Sequence, residues 1–241
     1  MRNLNGKPLV SLGSYDLHSS IAAASTMILD GPKTLKDPDH KAMRLSQIHA
    51  SHVTTLNAFV QELRDEAGPD AHIPYFDPWD AGIAAQVLFL LEAPGAKAVA
   101  SGFISRNNPD ETAKNIFELS AVAGLERKQT VLWNVVPWYI GSGTRIRPAT
   151  PKDLVAGLRP LPRLLALLPA LRAVVLLGRK AEKAAALIAT VRPDLKVFSC
   201  GHPSPLYVNR RLGNREKILA TLHQVHTYVC AALVESNGSV R

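Results

Sequence analysis

The stretch Ala173 to Leu206, AVVLLGRKAEKAAALIATVRPDLKVFSCGHPSPL, decides the fold. Its apolar opening, Ala173 to Leu177, closes on Gly178, which reads as a buried strand stopped by a residue able to turn sharply. Lys180 to Arg192 follows, alanine-rich and charged, long enough for a helix and halted at Pro193. Lys196 to Cys200 is a second short run, and Gly201-His202-Pro203-Ser204-Pro205 ends it in a turn too proline-rich to continue a strand. Strand, helix and strand within about 30 residues form the crossover unit of a parallel sheet.

Outward from this stretch, Gln86 to Leu91 and Thr130 to Val136 are two further strand-like runs. Helix-length segments accompany them: Asp110 to Gly124, opened by Asn108-Pro109-Asp110-Glu111; Lys152 to Ala170; and a tail from Arg215 to Val234. The expected fold is α/β, a three-layer α/β/α sandwich around a four-stranded parallel sheet, with residues 1–241 forming one domain. Residues 1–70 read as a helical N-terminal layer. It is clearest from Met43 to Ala67, where Leu45, Ile48, Val53, Leu56, Phe59, Val60 and Leu63 recur at mostly helical spacing. Gly68-Pro69-Asp70 ends that layer, and Pro74 to Gly82, PYFDPWDAG, reads as an ordered loop.

Composition narrows the function. The 241 residues hold 28 Lys+Arg against 20 Asp+Glu, a net charge of +8 that favours a polyanionic partner. Only Cys200 and Cys230 are present, so this chain alone cannot supply a four-cysteine zinc or iron–sulfur site. Met1 to Ser20 has no apolar core behind its positive charges, and later apolar runs are interrupted before membrane-spanning length. A soluble, uncleaved monomer of a reducing cytoplasm is expected, with no membrane contact, metal or cofactor. His223 and His226 read as a helix surface, and Cys200 as a buried strand-end residue. No Gly-x-Ser-x-Gly surrounds Ser204 and no Gly-x-Gly-x-x-Gly follows a strand, which argues against a serine hydrolase and a dinucleotide enzyme.

Ligands of open α/β sheets bind beyond the carboxyl ends of the strands. The residues there are Glu92-Ala93-Pro94-Gly95, Asn134 with Val135-Val136-Pro137-Trp138-Tyr139, and Gly201-His202-Pro203-Ser204-Pro205-Leu206. In this order they resemble the motifs of the uracil-DNA glycosylase superfamily over roughly Gln86 to Arg211. Glu92-Ala93-Pro94-Gly95 is similar to the first motif of the iron–sulfur branch, and His202-Pro203-Ser204-Pro205-Leu206 to the second motif of the classical branch.

The resemblance implies hydrolysis of the bond between uracil and deoxyribose after the base is flipped out of single- or double-stranded DNA, leaving an abasic site. It makes His202 the donor to uracil O2 as charge builds on the leaving base. It makes Asn134 the reader of O4 and N3, a task suited to an amide that donates and accepts at once. Phe103 matches the ring on which uracil stacks, with a plain core phenylalanine as the competing reading. Glu92, Ala93 and Gly95 line the base, and Leu206 matches the wedge that fills the vacated stack. Ser204, Arg210, Arg211, Arg145 and Arg147 are placed against phosphates, where the ordinary alternative is a solvated surface.

The chain departs from the family at Ala93, where classical members carry a water-positioning aspartate, and at Gly95, where they carry a tyrosine that excludes thymine. Glu92 is the nearest replacement carboxylate, with a backbone contact as its other role; Asp77 and Asp80 are alternatives if their loop covers the cleft. These departures keep open a second function, an α/β protein that binds DNA or abasic sites with little or no turnover.

Overall fold

The structure, a computed structural model, describes residues 29–238, so residues 1–28 of the expected helical layer lie outside the described residues. In chain order the elements are α1 (Pro38–Ser46), α2 (Thr54–Ala67), β1 (Tyr75–Phe76), β2 (Val87–Leu91), α3 (Ala96–Ser101), β3 (Phe103–Ile104), α4 (Glu111–Val122) and β4 (Thr130–Asn134). Then come β5 (Gly141–Ser142), β6 (Arg145–Ile146), α5 (Pro151–Leu158), α6 (Leu161–Ala166), β7 (Ala173–Leu177), α7 (Ala185–Val191), β8 (Lys196–Cys200), α8 (Pro205–Val208) and α9 (Asn214–Gly238).

The central sheet has four parallel strands in the order β4-β2-β7-β8. Every residue of β2, β4 and β7 is buried, which is why these strands read as unbroken apolar runs. Edge strand β8 exposes Lys196 and Ser199. Leu91 pairs with Asn134 and Leu177 with Cys200, so the strands finish along a common edge. On one face Phe89 meets Ile116 and Leu119 of α4 and Ile218 and Leu222 of α9. On the other, Trp133 stacks on Phe76 at 4.2 Å and tilts against Phe59 of α2 at 6.2 Å.

Three expected helices are corrected. Met43 to Ala67 is broken between Ser46 and Thr54, where Ile48 gives its carbonyl to the Asn57 amide instead of to a helical turn. The gap of five residues between Ile48 and Val53 shifts the apolar stripe out of phase and leaves Leu45 exposed. Lys152 to Ala170 divides into α5 and α6 at Arg159-Pro160, since Pro160 has no N–H to continue the ladder. Lys180 to Arg192 opens with a 3₁₀ turn, Ala181–Ala184, before α7. Inside the ordered loop from Pro74, Tyr75 and Phe76 pair with Phe103 and Ile104 in a separate two-stranded sheet.

Candidate active site

Each strand ending on the common edge delivers one part of the site. Asn134 is the last residue of β4, 4% exposed, and among the described residues its amide makes no hydrogen bond. An amide offers two donors and an acceptor, so this group can engage a ligand that presents an acceptor beside a donor. Glu92 follows β2; its carbonyl accepts from Val136 N–H and its carboxylate accepts from Ala149 N–H at 2.6 Å. Lys180, just past β7, donates to the Ala149 carbonyl at 2.6 Å. Glu92 and Lys180 thus grip both sides of the segment leading into α5.

His202 follows β8 and is half-buried. The Ser204 N–H donates to its Nδ1 at 3.1 Å. A ring nitrogen that accepts carries no proton, so the neutral imidazole has its proton on Nε2 and offers it as a donor. Burial holds this imidazole below its usual pKa, and the negative charge of the Glu92 carboxylate opposes that effect. Two close approaches fix the turn. A Cβ on Gly178, at φ +92°, would meet the His202 Cβ at 2.9 Å, and one on Gly201 would overlap the Tyr207 ring at 2.0 Å. Below the turn, Asn115 of α4 donates to the Pro203 carbonyl at 2.8 Å.

Of the remaining residues read from the sequence, Ala93 and Gly95 flank Pro94 on the same edge, and a Cβ on Gly95 would meet nothing within 4 Å. Phe103 is fully buried, 6.5 Å from the Tyr75 ring, on β3. Ser204 caps the start of α8, and among the described residues its hydroxyl has no hydrogen-bond partner. Leu206, 83% exposed, projects from α8, and Arg210 and Arg211 follow in exposed positions. Leu212, 106% exposed, extends this apolar and basic tip and was not among the residues read from the sequence. Arg145 is exposed on the β5–β6 hairpin. Arg147 is instead engaged, donating to both oxygens of Asp153 at 2.6 and 3.0 Å and so tying the hairpin to the start of α5.

Asp77 and Asp80 lie elsewhere, and the expectation that their loop covers the cleft is corrected. Ala81 N–H donates to the carbonyl of Thr130, the first residue of β4, so the loop runs to the edge where the strands begin. Five strand residues, about 13 Å, separate that edge from Asn134. There Asp77 pairs with Arg44 at 2.8 Å and Arg127 at 2.6 Å, while Asp80 lies 2.9 Å from Arg127 and 3.7 Å from Arg106. Ser105 donates to Asp77, Arg127 reaches Asp30, and the Arg44 guanidinium lies 3.1 Å above the Trp79 ring. Burial pushes the Asp80 carboxyl up to about 6, which leaves it ionised at neutral pH against Arg127 and Arg106. These carboxylates belong to a buried ion network.

Burial also pushes the Cys200 thiol up to about 12, so it is no nucleophile. The His226 ring packs on Gly124 and near the Cys230 sulfur. Among the described residues no helix is long and apolar enough to cross a membrane.

With this geometry in place, the comparisons with known proteins define the class. The model of the uracil DNA glycosylase superfamily matches residues 78–225, and the chain belongs to that superfamily. Among solved structures, it is similar to a candidate uracil DNA glycosylase from Methanosarcina acetivorans at 17% identity and TM-score 0.44, over 59% of this chain and 92% of that one. It is also similar to a variant of mimivirus UNG in complex with UGI, at 12% identity and TM-score 0.33, over 73% of each chain. No curated protein matches the chain in sequence. The membership supports DNA as the substrate and a glycosylase-like, hydrolytic chemistry of DNA repair.

Proposed function

We propose that this protein excises uracil from DNA by hydrolysing the N-glycosidic bond of a flipped-out nucleotide, acting as a single domain and a monomer of the cytoplasm. The observation that carries the proposal is the pairing, on one sheet edge, of an uncommitted amide at Asn134 with a neutral, Nε2-protonated His202. Asn134 donates to uracil O4 and accepts from N3–H; cytosine, with a donor at C4 and a bare N3, presents the opposite pattern. As the bond breaks, its electron pair leaves with the base and His202 Nε2–H stabilises the charge on O2. Water adds to the sugar cation and gives up a proton, leaving the abasic product. Phe103 stacks on the base, with Ala93 and Gly95 beside it. Ser204, Arg145, Arg210 and Arg211 hold phosphates while Leu206 fills the duplex. Arg147 supports the hairpin from which Arg145 reaches.

Glu92 remains the replacement carboxylate, but one of its oxygens is held by Ala149 N–H. That engagement favours a second reading, tight DNA or abasic-site binding with slow turnover, because a carboxylate used to anchor a loop orients water poorly. Uracil-containing single- and double-stranded oligonucleotides, incubated with the protein and then treated with alkali, distinguish the two. Scission at uracil is expected; intact strands at enzyme excess, with binding retained, establish the second reading.

A further inference from the structure

The peptide group between Pro203 and Ser204 is held at both ends. Its carbonyl accepts from Asn115 Nδ2 at 2.8 Å, and its N–H donates to His202 Nδ1 at 3.1 Å. A trans peptide is planar, with carbonyl and N–H pointing in opposite directions, so fixing the oxygen fixes where the N–H aims. Asn115 is itself oriented: its Oδ1 accepts from Arg215 Nη1 at 3.0 Å, and Arg215 Nη2 donates to Glu118 at 3.0 Å. A guanidinium only donates, so the amide must present Oδ1 to Arg215 and Nδ2 to Pro203. Asn115 is buried beside the apolar Ile116 and Leu119 on α4, where a leucine would pack without needing partners.

We propose that Asn115 is the positioning residue of the His202 ring, setting its tautomer and aim through this one peptide group. Asn115, on α4, never meets the reacting atoms; it acts by keeping the Ser204 N–H on Nδ1 and therefore the proton on Nε2. That the ring so aimed serves uracil rests on the function proposed above, whereas the relay from Asn115 to His202 does not.

The test is the nitrogen NMR spectrum of the His202 imidazole at neutral pH, together with single-turnover excision. Asn115→Asp keeps the side chain's shape but replaces the donor by an acceptor; Asn115→Ala removes both partners. In either, the Nδ1 resonance is expected to move toward its protonated position. Excision is expected to fall about tenfold, as when outer-shell partners of catalytic groups are removed, with affinity for uracil-free DNA unchanged. Ser204→Pro removes the relaying N–H directly at a φ of −67° that suits proline, and gives the same spectral change if neither Asn115 variant folds. A protonated Nδ1 in the wild type, or an unmoved ring spectrum in a folded variant, overturns the proposal. A shifted ring in the variants of a wild type that leaves uracil in place ends the glycosylase reading and leaves this inference standing.

Discussion

The two ends of the central sheet bury polar groups in opposite ways. Where the strands begin, Arg44, Arg106 and Arg127 each face Asp77 or Asp80 within 4 Å, and the charges hold one another. Where they finish, the Asn134 amide, the Ser204 hydroxyl and the His202 Nε2–H have no hydrogen-bond partner among the described residues. Buried side-chain atoms without a hydrogen-bond partner gather at the paired end, at Arg44 Nη1, both Asp80 oxygens, Arg106 Nε and Arg127 Nε, where proximity of opposite charges stands in for hydrogen bonds. The paired end anchors the segment around Asp30, while the other end presents groups able to engage a ligand.

The comparison is broken most severely at the paired end. Arg127→Ala leaves Asp77 and Asp80 short of a partner, and urea denaturation should show a loss of about 3–5 kcal/mol; an unmoved midpoint means the network is dispensable. At the other end, His202→Ala should slow single-turnover excision by about 10²–10³-fold, or about 3 kcal/mol of barrier, with little change in stability. If the rate survives, the donor role is lost.

Proton dependence sharpens the contrast. With the folded pKa of His202 depressed, the rate should stay level as pH is lowered through 6.5 and fall only below it; a rate that climbs on acidification through 6.5 would point to an imidazolium. The same depression contributes stability that is present above the unfolded value of 6.5 and lost as pH falls further. Gly178→Ala forces a side chain into a left-handed backbone at a cost of about 1–2 kcal/mol and pushes on His202, so excision should drop with stability. A normal rate in the folded variant would detach Gly178 from the site. Smallest of all, Arg210→Ala and Arg211→Ala should each lower the log–log salt slope of DNA binding by about one without altering the saturated rate; unchanged slopes would move the phosphate contacts elsewhere.

Three of the four central strands were legible because complete burial on both faces demands apolar runs, as in Val87–Leu91 and Ala173–Leu177, while edge strand β8 was a short run marked by the turn that ends it. Glu92, Asn134 and His202 were legible because strand ends are where polar residues become conspicuous. The ion network was not: an aspartate in an aromatic loop looks the same whether it faces a cleft or Arg44 and Arg127, 33 and 50 residues away in sequence. Asn115 was hidden for a related reason, since a polar residue within a helical stretch reads as solvent-facing until the fold puts Pro203 against it. Arg147, read as free for phosphate, was claimed by Asp153 of the neighbouring helix.

The balanced cluster of Arg44, Arg106 and Arg127 with Asp30, Asp77 and Asp80 has one outcome beyond stability. Its six charges cancel, five of them inside the protein and Asp30 at its surface, so the excess of +8 belongs wholly to the rest of the chain. At the end of the sheet where the strands begin, the cluster itself therefore adds no net charge, and the charge that end presents comes from residues outside it such as Lys128, Arg172 and Lys196. An approaching polyanion feels the exposed cations, Arg145, Arg210 and Arg211 among them, and those three stand beyond the other end.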